Sequence, residues 1–272
     1  MSFSGKVVVI TGASDGIGAA LARRLAPERP RLILAARALK GLEAVAQECR
    51  GLGAEAVAVR ADVGLEADCK QLVDKAVENF GGLDILVNNA GITAHALFEE
   101  IEDFSIFERV MQVNFYGTLW CTRHALPHLR KSRGLLVGVS SLIGRTGVPS
   151  RSAYAASKWA VGGLFDCLRV ELMDSGVEVC LVYPGVVATG IRQRGLDKAG
   201  QVMGASGLRE EGAMSAEECA RQMAEAIRAR RRELLLTPRG KLIPWLRLFA
   251  PRLLDRLAAA VLKRRTEHEQ NT

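Results

Sequence analysis

Tyr154 and Lys158 stand four residues apart in a segment with helical character. On a helix this spacing places both side chains on one face, one turn apart. A phenol whose pKa is about 10 is a poor base at neutral pH, and a neighbouring ammonium lowers that pKa because it favours the phenolate. The pair therefore predicts a tyrosine that can donate and accept a proton. A plain tyrosine–lysine pair on a helix surface has the same spacing and is the alternative.

A glycine-rich stretch at residues 11–18 lies between a short β-branched run and a helical pattern. Glycines there let the chain turn tightly, and they let backbone N–H groups approach a pyrophosphate whose charge favours the helix N-terminus. The spacing is GxxxGxG, and an ordinary tight turn is the other interpretation of such a loop. The candidate cofactor-binding residues of this loop are Gly12, Ser14, Asp15, Gly16, Ile17 and Gly18.

Alternating strands and helices must position these two features. Apolar runs predict strands at 6–11, 31–36, 56–60, 83–88, 134–140 and 178–183. Helical patterns separate them, and such an alternation implies a parallel sheet covered on both faces. The predicted fold class is therefore α/β, with one Rossmann-type doubly wound catalytic domain over residues 1–240. Ligands of such sheets bind at the carboxyl ends of the strands.

The composition indicates a globular protein with one large core, since 49% of the 272 residues are hydrophobic and 25% are charged. The six cysteines show no CxxC spacing, so we expect neither a metal site nor a disulfide framework. Reduced thiols favour a cytoplasmic location. The N-terminus leads straight into a strand and no apolar run reaches about 18 residues, so neither a signal peptide nor a membrane-spanning helix is expected.

Several short motifs follow one another in order along residues 5–190. They are TGxxxGIG at 11–18, the pair Asp62-Val63, NNAG at 88–91, Asn114, Ser141, YxxxK at 154–158, and Pro184-Gly185 followed by Thr189. In this combination the chain resembles the short-chain dehydrogenase/reductase family. The resemblance implies a Rossmann-type fold, a nicotinamide cofactor and a carbonyl or alcohol substrate.

The resemblance also implies a role for each motif residue. Tyr154 would exchange the proton, Lys158 would position the ribose and lower the Tyr154 pKa, and Ser141 would hydrogen-bond the substrate oxygen. Asn114 would hold a water that relays protons through Lys158, although it could also be a buried asparagine that kinks a helix. The cofactor contacts implied besides Tyr154 and Lys158 are Asp62 and Val63 at the adenine, Asn89, Ala90 and Gly91 in a supporting turn, and Pro184, Gly185, Val187 and Thr189 at the nicotinamide.

Arg37 directly follows the second predicted strand. NAD-selective Rossmann proteins usually place an acid at this point to bind the ribose hydroxyls, whereas a guanidinium suits a 2′-phosphate. The sequence thus predicts NADP(H) in preference to NAD(H). Asp15 argues against this, because many NADP-using relatives carry a basic residue there. Lys40 could add to the phosphate site or could simply be solvated.

Residues 190–215 are rich in glycine and charge. In the family that the chain resembles, this region covers the substrate and its movement gates access. The cations of the region are Arg192, Arg194, Lys198 and Arg209. They could meet an anionic substrate, or they could be solvated, which is the usual state of loop charges.

The net charge of +7 belongs to the C-terminal part, because the chain from residue 221 onward has thirteen Lys or Arg and five acids. Residues 241–272 interleave apolar and basic residues at helical spacing, with Trp245 and Phe249 on the apolar side. This basic amphipathic helical extension is typical of peripheral membrane contact. It resembles the extension of membrane-associated reductases in the dehydrogenase/reductase member 7B branch and of nearby hydroxysteroid dehydrogenases. Packing on a sister subunit is the other interpretation, and alternating bulky aliphatics disfavour nucleic acid as a partner.

Together these residues predict reversible hydride transfer between NADP(H) and a small-molecule carbonyl/alcohol pair. The tail suggests an apolar, lipid- or steroid-like ketone, and family habit suggests a homodimer or homotetramer. One rival is a non-catalytic NADP-binding regulator or scaffold on the same fold, which the complete set of catalytic motifs disfavours. A second is a sugar-nucleotide epimerase or dehydratase, but those enzymes usually carry a TGxxGxxG loop and a longer C-terminal domain.

Overall fold

Seven parallel strands form one sheet in the computed structural model, which describes residues 1–204 and 212–269. The strands are β1 Val7–Thr11, β2 Arg31–Ala36, β3 Glu55–Arg60, β4 Ile85–Asn88, β5 Leu135–Val139, β6 Glu178–Tyr183 and β7 Glu233–Leu235. Their order is β3-β2-β1-β4-β5-β6-β7, so the chain first builds one side of the sheet from β1 and then returns to the other side with β4. The point between β1 and β4 is the topological switch point, where doubly wound sheets bind ligands.

Helices cover both faces of this sheet, as predicted. Those of the described residues are α1 Gly16–Leu25, α2 Leu39–Gly51, α3 Glu66–Phe80, α4 Ser105–Met111, α5 Gly117–Ser132, α6 Ser152–Glu171, α7 Ala216–Arg228, α8 Pro238–Phe249 and α9 Pro251–Glu269. Val8 and Ile10 of β1 pack with α1, α2 and α7 in one apolar core, whereas Val7 and Val9 pack with α3, α5 and α6 in a second. Successive side chains of a strand point to opposite faces, so one buried strand serves both cores.

The helical pattern that runs through residues 105–130 of the sequence contains one wider turn in the structure. Between α4 and α5 the chain forms a π-helical turn at Gln112–Tyr116, and Asn114 in that turn is fully buried. Such turns are rare and are frequent at functional sites. The helical periodicity of the sequence continues on both sides, which is why it predicts one unbroken helix.

The C-terminal extension is two helices, not one, because Pro251 ends the N–H ladder of α8 and starts α9. Helix α8 begins at Pro238, inside the part that the sequence assigned to the catalytic domain. Residues 205–211 of the predicted substrate-covering loop, including Arg209, lie outside the described residues, as do the side chains of 261–272. No helix among the described residues has both the length and the apolar character needed to cross a membrane.

Candidate active site

A cleft of about 1450 Å³ opens at the carboxyl ends of the strands and includes the β1–β4 switch point. Most residues predicted to bind cofactor or substrate line it. They are Gly12, Ser14, Asp15, Gly16, Ile17, Arg37, Asp62, Val63, Asn89, Ala90, Gly91, Ser141, Tyr154, Lys158, Pro184, Gly185, Val187 and Thr189. Gly18 packs behind the loop against the Gly12 carbonyl, and Asn114 is buried behind Gly91, so these two predicted residues support the wall from within.

Hydrogen bonds tie β1 to the turn that follows β4. The Thr11 hydroxyl oxygen accepts from the backbone N–H groups of Asn89 and Ala90, both at 3.0 Å. The Asn89 side-chain amide donates to the carbonyl of Thr11 at 2.9 Å and to that of Gly12 at 3.1 Å. Gly12 has a φ of +65°, and a Cβ there would lie 2.8 Å from the Cα of Ala90. The loop therefore needs glycine at this position both for its conformation and for the close approach.

The N-terminus of α1 borders the cleft without a side-chain cap. Asp15 is the N-cap residue, but its carboxylate makes no cap hydrogen bond. Its Oδ2 instead lies 2.6 Å from Nη1 of Arg194. The first N–H groups of a helix have no acceptor within the helix and carry partial positive charge. This end of α1 therefore fits the phosphates of a dinucleotide.

The opposite end of the predicted cofactor site lies after β2 and β3. Asp62 is held in place because its backbone N–H donates to Asp68 Oδ2 at 2.8 Å and its own Oδ1 accepts from the Gly64 N–H at 2.9 Å. Val63 is buried against Gly117 of α5. Arg37 is exposed in the cleft wall just beyond β2. An ordered acid, an apolar side chain and a solvated guanidinium thus line this end.

Ser141, Tyr154 and Lys158 meet where β5 ends beside α6. The Ser141 side chain lies close enough to the Tyr154 hydroxyl to lower the pKa of the phenol by hydrogen bonding. Lys158 Nζ lies 5.6 Å from the centroid of the Tyr154 ring and donates to the Val139 carbonyl at 2.8 Å. Helix α6 places Tyr154 and Lys158 in this one cleft, so they are not a plain surface pair.

Burial governs the ionisation of both side chains. Burial lowers the pKa of Lys158 to about 8, because the ammonium loses the water that stabilises it. Burial also raises the pKa of Tyr154, and the hydrogen bond from Ser141 and the charges of Arg151 and Arg192 offset only part of that effect. The expected lowering of the Tyr154 pKa by Lys158 is therefore wrong for the chain alone. The Tyr154 phenol is protonated at neutral pH, which is the form that can donate a proton.

Asn114 connects the turn after β4 to α6. Its Oδ1 accepts from the Ile92 N–H at 2.8 Å, and its Nδ2 donates to the Ile92 carbonyl at 3.0 Å and to Ser157 Oγ at 2.9 Å. Ser157 Oγ in turn donates to the Tyr154 carbonyl at 2.8 Å. The amide of Asn114 is thus engaged in positioning neighbouring segments. Sequence reasoning missed Ser157, whose one signal is its place directly before Lys158.

The segment after β6 closes the cleft toward the phosphate loop. Val187 forms a bridge with Met214, and the Ala188 N–H donates to the Met214 carbonyl at 2.9 Å. The Thr189 Cγ2 lies 3.1 Å from the point where a Cβ on Gly16 would stand. The predicted nicotinamide segment is therefore in contact with the predicted phosphate loop.

Further residues in the cleft wall were not predicted from the sequence. They include Thr93, Ile143, Arg151, Thr237 and Ile243. Thr237 and Ile243 come from the start of α8, far along the chain from the other site residues. Tertiary packing alone brings them there, so no local spacing could have found them.

A family model described as short chain dehydrogenase matches residues 6–199. The chain belongs to the short-chain dehydrogenase/reductase family. It is 44% identical over 199 residues to 11-beta-hydroxysteroid dehydrogenase A of Sesamum indicum, and the aligned residues make up 73% of this chain and 57% of that protein. It is 44% identical over 188 residues to 11-beta-hydroxysteroid dehydrogenase-like 4A of Arabidopsis thaliana, and the aligned residues make up 69% of this chain and 62% of that protein. The matches thus span less than two thirds of either relative.

Two solved structures share the fold of this chain. A short-chain dehydrogenase/reductase from Burkholderia phymatum in complex with NAD is 29% identical with a TM-score of 0.79, over 91% of this chain and 94% of that one. An alcohol dehydrogenase from Thermococcus sibiricus, complexed with 5-hydroxy-NADP, is 27% identical with a TM-score of 0.75, over 85% of this chain and 94% of that one. The two neighbours carry different nicotinamide cofactors, so the fold is common to both cofactor classes.

The lowered pKa of Lys158 is directly measurable. In the cofactor-free protein labelled with ¹³Cε-lysine, we expect one resonance to titrate with a midpoint near pH 8, because burial disfavours the ammonium. The early-titrating resonance should be missing in Lys158→Arg, and a Lys158 midpoint at or above 10 would contradict the burial argument.

Proposed function

We propose that this family member catalyses reversible hydride transfer between NADP(H) and a carbonyl/alcohol pair. The observation that carries the proposal is that Ser141, Tyr154 and Lys158 meet in the same cleft as the uncapped N-terminus of α1. When bound, the nicotinamide supplies or accepts the hydride. The residues of the chain supply the remaining chemistry, which is to bind, orient and exchange a proton.

Each of four residues has a role that its surroundings support. The Tyr154 phenol, kept protonated by burial, donates its proton to the carbonyl oxygen in the reducing direction. Ser141 orients the same oxygen through its hydroxyl. Lys158 holds the ribose, and Asn114 keeps the turn after β4 in register with α6 and completes a proton relay through Lys158.

The proposal is tested by following oxidation of NADPH, and in parallel NADH, with a panel of small, lipid-like and steroid-like ketones. Turnover with NADPH well above that with NADH is the expected result. Tight NADPH binding without turnover on any ketone would favour the non-catalytic regulator or scaffold. Failure to bind either cofactor would contradict the interpretation of the phosphate loop.

Replacing Tyr154 by phenylalanine removes the proton donor and leaves the ring in place. We expect kcat to fall by at least about 100-fold, the lower range of what general acid–base catalysis contributes. The Kd of NADPH, measured by fluorescence, should change little. Tyr116→Phe is the matched control, because Tyr116 is exposed on the π-helical turn and its ring contacts Phe115 edge-on and Trp120 at a tilt. Comparable rates in Tyr154→Phe and Tyr116→Phe would sink the assignment.

The preference for NADP(H) rests on Arg37. Its guanidinium is exposed in the cleft wall directly after β2, where NAD-selective relatives place an acid. Asp15, which argued against NADP(H) in the sequence, is paired with Arg194, so its charge is partly compensated in the fold. Both observations support a site for a 2′-phosphate at the end of β2.

Arg37→Ala should weaken NADPH selectively. A charge-assisted contact of this kind corresponds to roughly a 10- to 100-fold rise in the Kd of NADPH. The Kd of NADH should stay nearly constant, since NADH has no 2′-phosphate. Lys70→Ala removes a cation on the outer side of α3 and serves as the control. An equal effect of Arg37→Ala on both cofactors would show that Arg37 does not select between them.

The substrate of this proposal is a ketone with a large apolar part. The apolar residues Leu142, Ile143, Val148, Met214 and Ile243 are among those that line the cleft. The names of the curated relatives, which refer to hydroxysteroids, point in the same direction. A cytoplasmic location and a homodimer or homotetramer are further parts of the proposal, and the six free cysteines support a reducing compartment.

The extension α8–α9 presents an apolar surface that we assign to peripheral membrane contact. Its exposed apolar side chains are Leu242, Trp245, Leu248, Phe249, Leu253 and Leu257. Trp245 and Phe249 stack with ring centroids 6.0 Å apart, and they are 64% and 72% exposed. Exposed basic residues, Arg252 and Arg256 among them, lie on the same extension. Aromatic and basic residues in this combination favour an anionic lipid surface.

The double variant Trp245→Glu/Phe249→Glu should abolish binding to vesicles of phosphatidylcholine and phosphatidylserine in a sedimentation assay. Leu52→Glu, which adds one negative charge at an exposed leucine after α2, should leave binding intact. The oligomeric mass of the same proteins is measured by light scattering. If the wild type does not bind vesicles and the double variant has a smaller oligomeric mass than the wild type, the extension packs on a sister subunit instead.

A further inference from the structure

The cleft wall carries more cations than acids, and its acids have partners within the protein. Asp15 is paired with Arg194 at 2.6 Å, and Glu218 with Arg221 at 2.7 Å. Asp62 accepts the N–H of Gly64. None of these carboxylates is paired with Arg192, which also lines the cleft.

Arg192 is held at the cleft by the segment that follows β6. Its carbonyl accepts from the Gly195 N–H at 3.0 Å in a tight turn. The next residue, Leu196, is anchored on the opposite wall, because its N–H donates to the Thr93 carbonyl at 2.9 Å and its carbonyl accepts from the His95 N–H at 2.8 Å. The turn that carries Arg192 is therefore fastened beside Thr93 and is not a free loop.

One nitrogen of this guanidinium, Nη1 of Arg192, is shielded from solvent and has no hydrogen-bond acceptor among the described residues. A buried donor without an acceptor is costly, and a charged one more so. The other cations of the same region that the structure describes are engaged, since Arg194 pairs with Asp15 and Lys198 pairs with Glu102. Arg192 thus lines the cleft with a guanidinium that has no carboxylate partner among the described residues.

A second guanidinium lies on the same side of the cleft. Arg151, directly before α6, is buried, donates from Nη1 to Thr93 Oγ1 at 3.0 Å and contacts His95. Both Arg151 and Arg192 are near enough to Tyr154 for their charges to favour its phenolate. The two cations therefore lie at the catalytic end of the cleft, whereas Arg37 and the Asp62-Val63 pair lie at its other end.

We infer that the carbonyl substrate bears an oxyanion group, a carboxylate or a phosphate, which binds Arg192 in the neighbourhood of Arg151. Two or more oxygens of such a group suit the planar fork of a guanidinium. The apolar side chains that line the cleft then hold the remainder of an amphiphilic ketone. The inference deepens the proposed function and rests on it for the reaction, but the anion site itself is a property of the chain.

Binding of simple amphiphiles tests the site without requiring turnover. Decanoate, decyl phosphate and decan-1-ol share one chain and differ in the head group, and calorimetry measures their Kd for the protein with and without NADPH. We expect at least one of the two anions to bind about 10-fold or more tightly than the alcohol, the effect of one charge-assisted contact. The tighter of the two anions identifies the head group. Equal binding of all three would overturn the inference.

Variants locate the preference at Arg192. Arg192→Gln should raise the Kd of the preferred anion about 10-fold and leave that of decan-1-ol unchanged, while Arg192→Lys should keep part of the preference. Lys198→Gln is the matched control, because it removes one positive charge from the same segment at a pair with Glu102 outside the cleft wall. An anion preference that survives in Arg192→Gln, or that Lys198→Gln removes equally, would also overturn the inference.

The NADPH titrations of these variants separate this role from a role in holding the cofactor. If Arg192→Gln weakens NADPH at least 10-fold and leaves the Kd of both anions unchanged, Arg192 serves the cofactor and the inference is wrong. If the wild type binds the anions through Arg192 but neither binds NADPH nor reduces a ketone, the proposed reaction fails and the anion site stands. The two failures are therefore distinguishable in one set of proteins.

Discussion

The hydrogen bonds between Thr11 and the turn at Asn89 and Ala90 hold the site together at the point where the sheet changes direction. They join strands β1 and β4, which are neighbours in the sheet but far apart in the chain. Thr11 is almost fully buried, so its hydroxyl oxygen has to be satisfied by protein groups. Because the phosphate loop follows Thr11 directly and the turn at Asn89 leads to Gly91 and Ile92, both walls of the cleft are placed by this junction. The phosphate loop and the turn at residues 88–91 are therefore held in register with each other.

At the catalytic end, burial and charge act against each other. Burial lowers the pKa of Lys158 and raises that of Tyr154, whereas Ser141 and the nearby guanidinium groups favour the phenolate. The balance leaves Tyr154 as an acid and Lys158 as a group whose charge changes close to physiological pH. Hydrogen bonds to main-chain carbonyls fix both geometries, through Val139 for Lys158 and through Ser157 for the backbone of Tyr154. Main-chain hydrogen bonds thus set the positions of Tyr154 and Lys158, and burial in the cleft sets their pKa values.

The sequence predicts those features of this chain that depend on local pattern. The strand expected at 31–36 is β2 Arg31–Ala36 residue for residue, because a continuous apolar run between helices has one stable place in a covered parallel sheet. The π-helical turn at Gln112–Tyr116 was not predicted, since one wider turn leaves the apolar periodicity on both sides intact. The direction of the Tyr154 pKa was wrong because it depends on burial by segments remote in sequence. Ile243 and Ser157 were missed because neither belongs to a local pattern of site residues. Tertiary packing brings Ile243 to the cleft, and Ser157 acts through hydrogen bonds to its neighbours.

Helix α8 is about 10 Å across, and its two sides lie in different surroundings. Ile243 belongs to the inner wall of the cleft, while Trp245 and Phe249 are turned outward. The wall and the outer surface are therefore a single rigid part, and whatever seats one side also fixes the shape of the other. A substitution that shifts α8 therefore alters both the wall of the cleft and the exposed apolar surface on the other side of the helix.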